Sequence, residues 1–250
     1  MLNSNELTFI SHLSNYLPDR RPGKRGTKPI PKEILLEQLF LKFRKGLGWR
    51  DIKYSSTARN YLKEIQRRGE FKSFFNYLIQ EFKKYRPSET IVDSSDLVSY
   101  QTNGLIKYSG KYHNYCIKIT VEVTKNCLPI NFSLNPGSMS DSLILDKMLE
   151  RSVKLPYELY LDKGYERYDR RRELKRQNCQ VRMEMKKDKN RKRGPCFTFN
   201  KNHKDMRGSI EKIYGWLKSF GGLVLNKLRI KSNIMAMFII ALSYYAFRRL

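Results

Sequence analysis

Apolar residues recur at helical spacing early in the chain and alternate with polar ones later. From Pro31 onward, Ile34, Leu35, Leu39, Phe43 and Leu47 recur at helix-like spacing, and Gly46 and Gly48 close the run, which predicts a helix. A G-W-R-D-I connection follows. A second helix is predicted from Ser55 or Ser56, either of which can act as N-cap, to Arg68, with Gly69 as its stop. Tyr61, Leu62 and Ile65 face inward on it, whereas Arg59, Lys63, Arg67 and Arg68 face out. A third helix places Phe71, Phe74, Phe75, Leu78 and Phe82 on one side. Three short helices with a basic middle member suit a helix-turn-helix-like DNA-binding unit. A plain helical bundle with a solvated basic face accounts for the same pattern.

The period changes after Pro87. Residues 90–98, 113–124 and 128–134 read as three consecutive strands, expected to pair antiparallel. A helix then starts with Asp141 as its cap, and residues 158–161 form a short strand that ends at Asp162. A basic helix over about 165–177, a strand over 179–185 and a helix over 207–220 complete an α/β order: a mixed sheet flanked by helices. The expected division is residues 1–86, helical with a basic arm at 18–31, and residues 87–250, α/β with a C-terminal helix. Residues 234–247 are nearly all apolar, but as a helix they reach only about 21 Å against a hydrocarbon core of about 30 Å. With Ser243, Tyr244 and Tyr245 among them, they read as a buried terminal helix and not a membrane anchor. The N-terminus has no charged stretch followed by a long apolar run, so no signal peptide is expected.

Charge narrows the partners. Lys and Arg total 50 against 24 Asp and Glu, a net charge of +26. Such an excess favours a polyanion, DNA or RNA first and an anionic membrane surface second. Between Lys163 and Arg193 stand fourteen basic residues and five acidic ones, a density that can follow a phosphate backbone or simply coat a solvated surface. The four cysteines are scattered without a C-x-x-C, which fits reduced thiols in an intracellular protein and excludes a disulfide scaffold. The three histidines are widely separated, which argues against a Cys/His zinc site.

Three acids occupy unusual places. Asp93 interrupts an apolar strand, I-V-D-S-S, where burial is unfavourable without a cation. Asp162 ends L-Y-L-D, at the sheet edge where α/β proteins bind ligands. Glu211 lies in R-G-S-I-E-K-I-Y-G-W-L-K, where Ile210, Ile213, Leu217 and Phe220 make one apolar face and Arg207, Glu211, Tyr214 and Lys218 a neighbouring polar one. Converging carboxylates suit hard divalent cations and phosphoryl transfer. Singly, Asp93 reads equally as a strand-end cap, Asp162 as a turn residue before Lys163, and Glu211 as one half of an ion pair with Arg207 or Lys218.

These motifs resemble the DDE transposases of prokaryotic insertion sequences. The resemblance rests on I-V-D-S-S, L-Y-L-D-K-G-Y and the R-x3-E-x6-K pattern of Arg207, Glu211 and Lys218. It extends to K-G-L-G-W-R-D-I at 45–52, K-Y-H at 111–113 and G-S-M-S-D at 137–141. Lys204 stands where the family often has Tyr, and Glu122 where many members have Asp. The resemblance implies an RNase H-like catalytic fold and two Mg²⁺ ions, with Mn²⁺ as substitute, held by Asp93, Asp162 and Glu211 as catalytic residues. It implies DNA contacts through Arg207, Lys218, Lys163, Arg59 and Lys63, and terminal inverted repeats and target DNA as partners. A homodimer on DNA, a nucleoid location in the cytoplasm and no membrane association follow with it. A catalytically silent repressor derived from a transposase and an RNase H-like nuclease are the alternatives.

Overall fold

The computed structural model describes residues 2–19, 29–80, 86–98, 106–110, 113–152, 154–165, 167–183, 201–221, 223 and 231–249. Most of the basic arm, Phe82, Lys111, Tyr112, Cys196 and the last part of the basic run lie outside them. In chain order, helices α1 (Ser4–Tyr16), α2 (Lys32–Lys45), α3 (Ser55–Arg68) and α4 (Glu70–Leu78) precede strands β1 (Glu89–Val98), β2 (Lys107–Ser109), β3 (Asn114–Thr124) and β4 (Pro129–Pro136). Then follow α5 (Asp141–Leu149), β5 (Glu158–Leu161), α6 (Tyr168–Arg176), β6 (Gln180–Met183), α7 (Lys201–Ser219) and α8 (Lys231–Phe247). No helix among the described residues is long and apolar enough to cross a membrane. Cys116, Cys127 and Cys179 are free and buried.

The chain divides into a helical unit, Met1–Ile79 with Trp216–Leu250, and a sheet unit, Gln80–Gly215. The C-terminal helix groups with the N-terminal helices because α8 is apolar on every side and needs partners all round. Phe9 of α1 lies 5.1 Å, ring to ring, from Tyr244 of α8, 5.6 Å from Phe40 of α2 and 5.9 Å from Phe74 of α4. Gln66 of α3 adds a 2.9 Å bond to the Ser232 carbonyl.

Helix α1 is an element the periodicity reading passed over, although its start signal is present. Asn3 accepts from the Glu6 N–H at 2.9 Å and its own N–H donates to the Glu6 carboxylate at 2.9 Å, a capping box ahead of buried Phe9, Ile10 and Leu13. Neither Ser55 nor Ser56 caps α3. That place falls to Tyr54 in a left-handed conformation (φ 55°), with no side-chain cap. Between α2 and α3 a single 3₁₀ turn, Trp49–Asp51, presents the Trp49 ring to Lys42 at 4.7 Å and Arg59 at 4.9 Å.

In the sheet unit the strand order is β2-β3-β1-β5-β6, with β4 pairing β3 as well. β1, β3 and β4 are antiparallel neighbours, and β5 and β6 run parallel to β1. Helices α5 and α6 pack Ile144, Leu145, Met148 and Leu174 over Leu159, Leu161 and Val181. This mixed sheet flanked by helices is the fold class the element order predicts. Strand β2 is additional to the predicted set. Asp141 is the first residue of α5 and not its cap, a role taken by Ser140, whose hydroxyl accepts from the Leu143 N–H at 3.4 Å.

Candidate active site

Parallel pairing builds the site. In the β1–β5 register Val92 faces Leu161, the last pair, so the next positions, Asp93 on β1 and Asp162 just after β5, lie side by side at about one strand spacing, about 4.8 Å. Sixty-nine residues of sequence are thereby closed into one strand spacing. Asp93 is half-buried and Asp162 exposed. Burial pushes the Asp93 carboxyl up to about 6. The Ser94 N–H, donating to it at 2.8 Å, opposes that rise, the charges of Asp162 and Asp141 reinforce it, and Arg207 counters it.

Two tyrosines hold the backbone here. Tyr214 of α7 donates its hydroxyl to the carbonyls of Asp93 and Ile119, which docks the helix on β1 and β3. Tyr165 shares a 2.6 Å hydrogen bond with Ser94, whose hydroxyl lies 2.7 Å from that of Thr120. Burial pushes both phenols well above the ordinary tyrosine value, so each remains a neutral hydroxyl. The Tyr165 N–H also donates to the Asp162 carbonyl at 3.0 Å, closing the turn that contains Lys163 and Gly164.

Glu211 is placed differently from the two aspartates. It lies on α7 between Arg207 and Tyr214, both of which engage Asp93, but its side chain is 66% exposed and its carboxylate sits 3.5 Å from the Arg207 guanidinium. Among the described residues no group of three or more His, Cys, Asp or Glu closes to metal-binding distance. The oxygen donors of Asp93 and Asp162 fit a hard divalent cation, which would offset both the burial of Asp93 and the repulsion from its neighbours. Lys163 is exposed on the turn after Asp162, and Lys218 is exposed on the part of α7 that belongs to the helical unit. Arg59 and Lys63 are exposed on α3.

The segment 84–246 matches the family model described as the transposase DDE domain. The chain belongs to the DDE transposase family. A cryo-EM structure of a piggyBac transposase synaptic complex with hairpin DNA is similar over 98% of this chain and 78% of that one, at 11% identity and a TM-score of 0.45. No curated protein matches the chain.

Asp141 is the acid of this transposase that sequence reasoning missed, because α5 looked like an ordinary capped helix. Its carboxylate pairs with buried Lys118 at 3.0 Å. A side chain on Gly164 would meet Asp141 Oδ2 at 3.7 Å and Asp162 Oδ2 at 4.0 Å, so glycine leaves the gap between the two carboxylates open. Arg170, expected only as one of many surface cations, is buried and ties the region together. It bonds Asp146 at 2.6 Å, the Tyr165 carbonyl at 2.9 Å and the Ser142 carbonyl at 2.7 Å. Arg170→Met should therefore destabilise the sheet unit by about 2–3 kcal/mol, since it removes the buried one of the two guanidinium groups on Asp146, leaving only Arg167 at 2.6 Å, and takes a charged donor from the two carbonyls. Urea unfolding measures this, and a loss below roughly 1 kcal/mol would show that the network is not holding the turn.

Proposed function

We propose that this transposase binds the terminal inverted repeats of a prokaryotic insertion sequence and catalyses metal-dependent DNA strand cleavage and strand transfer. The observation that carries the reading is the register placement of Asp93 beside Asp162, inside the segment matched to the family. Asp93 and Asp162 would hold Mg²⁺, or Mn²⁺ in its place, and Glu211 would complete the set for two ions. When bound, such ions supply Lewis acidity to the attacking and leaving oxygens.

The chain's own residues do the rest. Tyr214 fixes the Asp93 backbone and Tyr165 the turn after Asp162, so the two carboxylates present their oxygens without reorganisation. Arg207 and Lys163 neutralise phosphates beside the acids, and Lys218 extends the basic face of α7. Arg59 and Lys63, with the basic arm, contact the repeats from the helical unit, and the net charge of +26 supports a polyanionic partner. A dimer on DNA and a nucleoid location in the cytoplasm complete the proposal.

The test is incubation with Mg²⁺ and a duplex carrying the element's own end. Nicking at the repeat boundary is the expected result. Glu211→Gln should lower cleavage roughly a hundredfold or more while leaving duplex affinity nearly unchanged. Binding without nicking would favour a silent repressor, and cleavage indifferent to the repeat would favour an RNase H-like nuclease.

A further inference from the structure

Two tyrosines of the sheet unit stand together in solvent. Tyr108 and Tyr115 are register partners across β2 and β3, 48% and 47% exposed, with ring centroids 5.8 Å apart in an edge-to-face arrangement. The Tyr108 hydroxyl lies 3.2 Å from His113 Nδ1, which fixes its ring. The base of the hairpin is closely packed. Gly137 packs so closely on it that a side chain there would come within 2.7 Å of the Cys116 carbonyl and 2.8 Å of the Lys107 carbonyl. Exposed aromatic rings held in fixed geometry contribute nothing to a core and keep their faces open to a ligand.

Charge and placement say which ligand. The sequence holds no Asp or Glu between Asp96 and Glu122, and Lys107, beside Tyr108, is exposed. This local setting suits a polyanion. Along β3, Tyr115 stands six residues from Val121, the register partner of Asp93. At about 3.3 Å per residue the tyrosine pair lies about 20 Å beyond Asp93, in the direction in which β1 runs. A strand at duplex spacing, about 3.4 Å per nucleotide, covers that distance in about six nucleotides, and an unpaired, extended strand in fewer.

We propose that Tyr108 and Tyr115 form a stacking platform for unpaired bases of a DNA strand, within about six nucleotides of the phosphate positioned at Asp93 and Asp162. The inference rests on DNA being the substrate. Stacking requires a free base face, which a paired duplex covers, so the platform selects single-stranded or unpaired segments without reading their sequence.

The test measures binding of the full chain to a duplex and to a single strand of equal length, both carrying 2-aminopurine at successive positions. Exchanging both tyrosines for leucine keeps apolar strand residues but removes the rings. It should weaken single-strand binding about tenfold or more and abolish position-specific quenching within about the first six nucleotides, with duplex affinity unchanged. Exchanging both for phenylalanine should preserve single-strand binding, and neither exchange should alter the salt dependence. Equal losses on duplex and single strand, or no loss on either, would overturn the platform. So would leucine variants that lose self-association, by sedimentation, while keeping single-strand affinity, because the pair would then be an interface between copies. A wild-type protein that binds neither DNA would instead refute the transposase reading. Circular dichroism of the phenylalanine variant confirms the fold if the leucine variant melts early.

Discussion

Asp93→Asn is expected to abolish strand cleavage and, in the metal-free protein, to raise stability at neutral pH. The carboxyl is held near 6 in the folded state against 3.8 as a free side chain. Between those values the folded protein binds the extra proton, so the contribution of this group to stability falls as pH rises from about 4 to about 6 and stays low above that. Asparagine removes the charge while keeping the shape. The gain should be absent at pH 4, grow through that window and level off above it at about 1–3 kcal/mol, a rise of several degrees in Tm. Added Mg²⁺ should stabilise the wild type and not the variant. Calorimetry across pH checks the first half and a nicking assay the second. A variant that melts below the wild type at pH 8 would show that Asp93 is a structural acid, and one that cuts at the normal rate would remove it from catalysis.

A chain ending at residue 230 is expected to lose the helical unit while keeping the sheet. Helix α8 buries thirteen residues, Ile234, Met237, Phe238, Ile240, Leu242 and Tyr244 among them. At about 1.5–3 kcal/mol for each large side chain, its removal forfeits about 10 kcal/mol, comparable to the whole stability of a domain. Hydrogen exchange should show α1, α2 and α4 losing protection, with β1 and β3 retaining theirs. The opposite pattern would restore the C-terminal helix to the sheet unit.

The sequence by itself determined the elements whose signals are local. Period-3.6 spacing marks α2, α4 and α7, β-rich composition marks β1 and alternation β3, and Gly46 and Gly69 end α2 and α3 at left-handed positions. The capping box of α1 was equally local and equally legible. The motifs around Asp93 and Asp162 were visible because an acid inside an apolar strand, and another at a strand end, break the pattern that burial imposes. What joins them was not visible. Strand register is a pairing between distant segments, and only that pairing sets Asp93 next to Asp162, while the packing of α5 brings Asp141 up beside Gly164. The partner of α8 was hidden for a related reason: a helix apolar on every side names no neighbour, and packing against Phe9, Phe40 and Phe74 decides it. The direction of Glu211 was also left to the tertiary structure. Helical spacing put it on the same face as Arg207, but the balance between a guanidinium one turn away and the carboxylates of Asp93 and Asp162 exists only once α7 lies on the sheet.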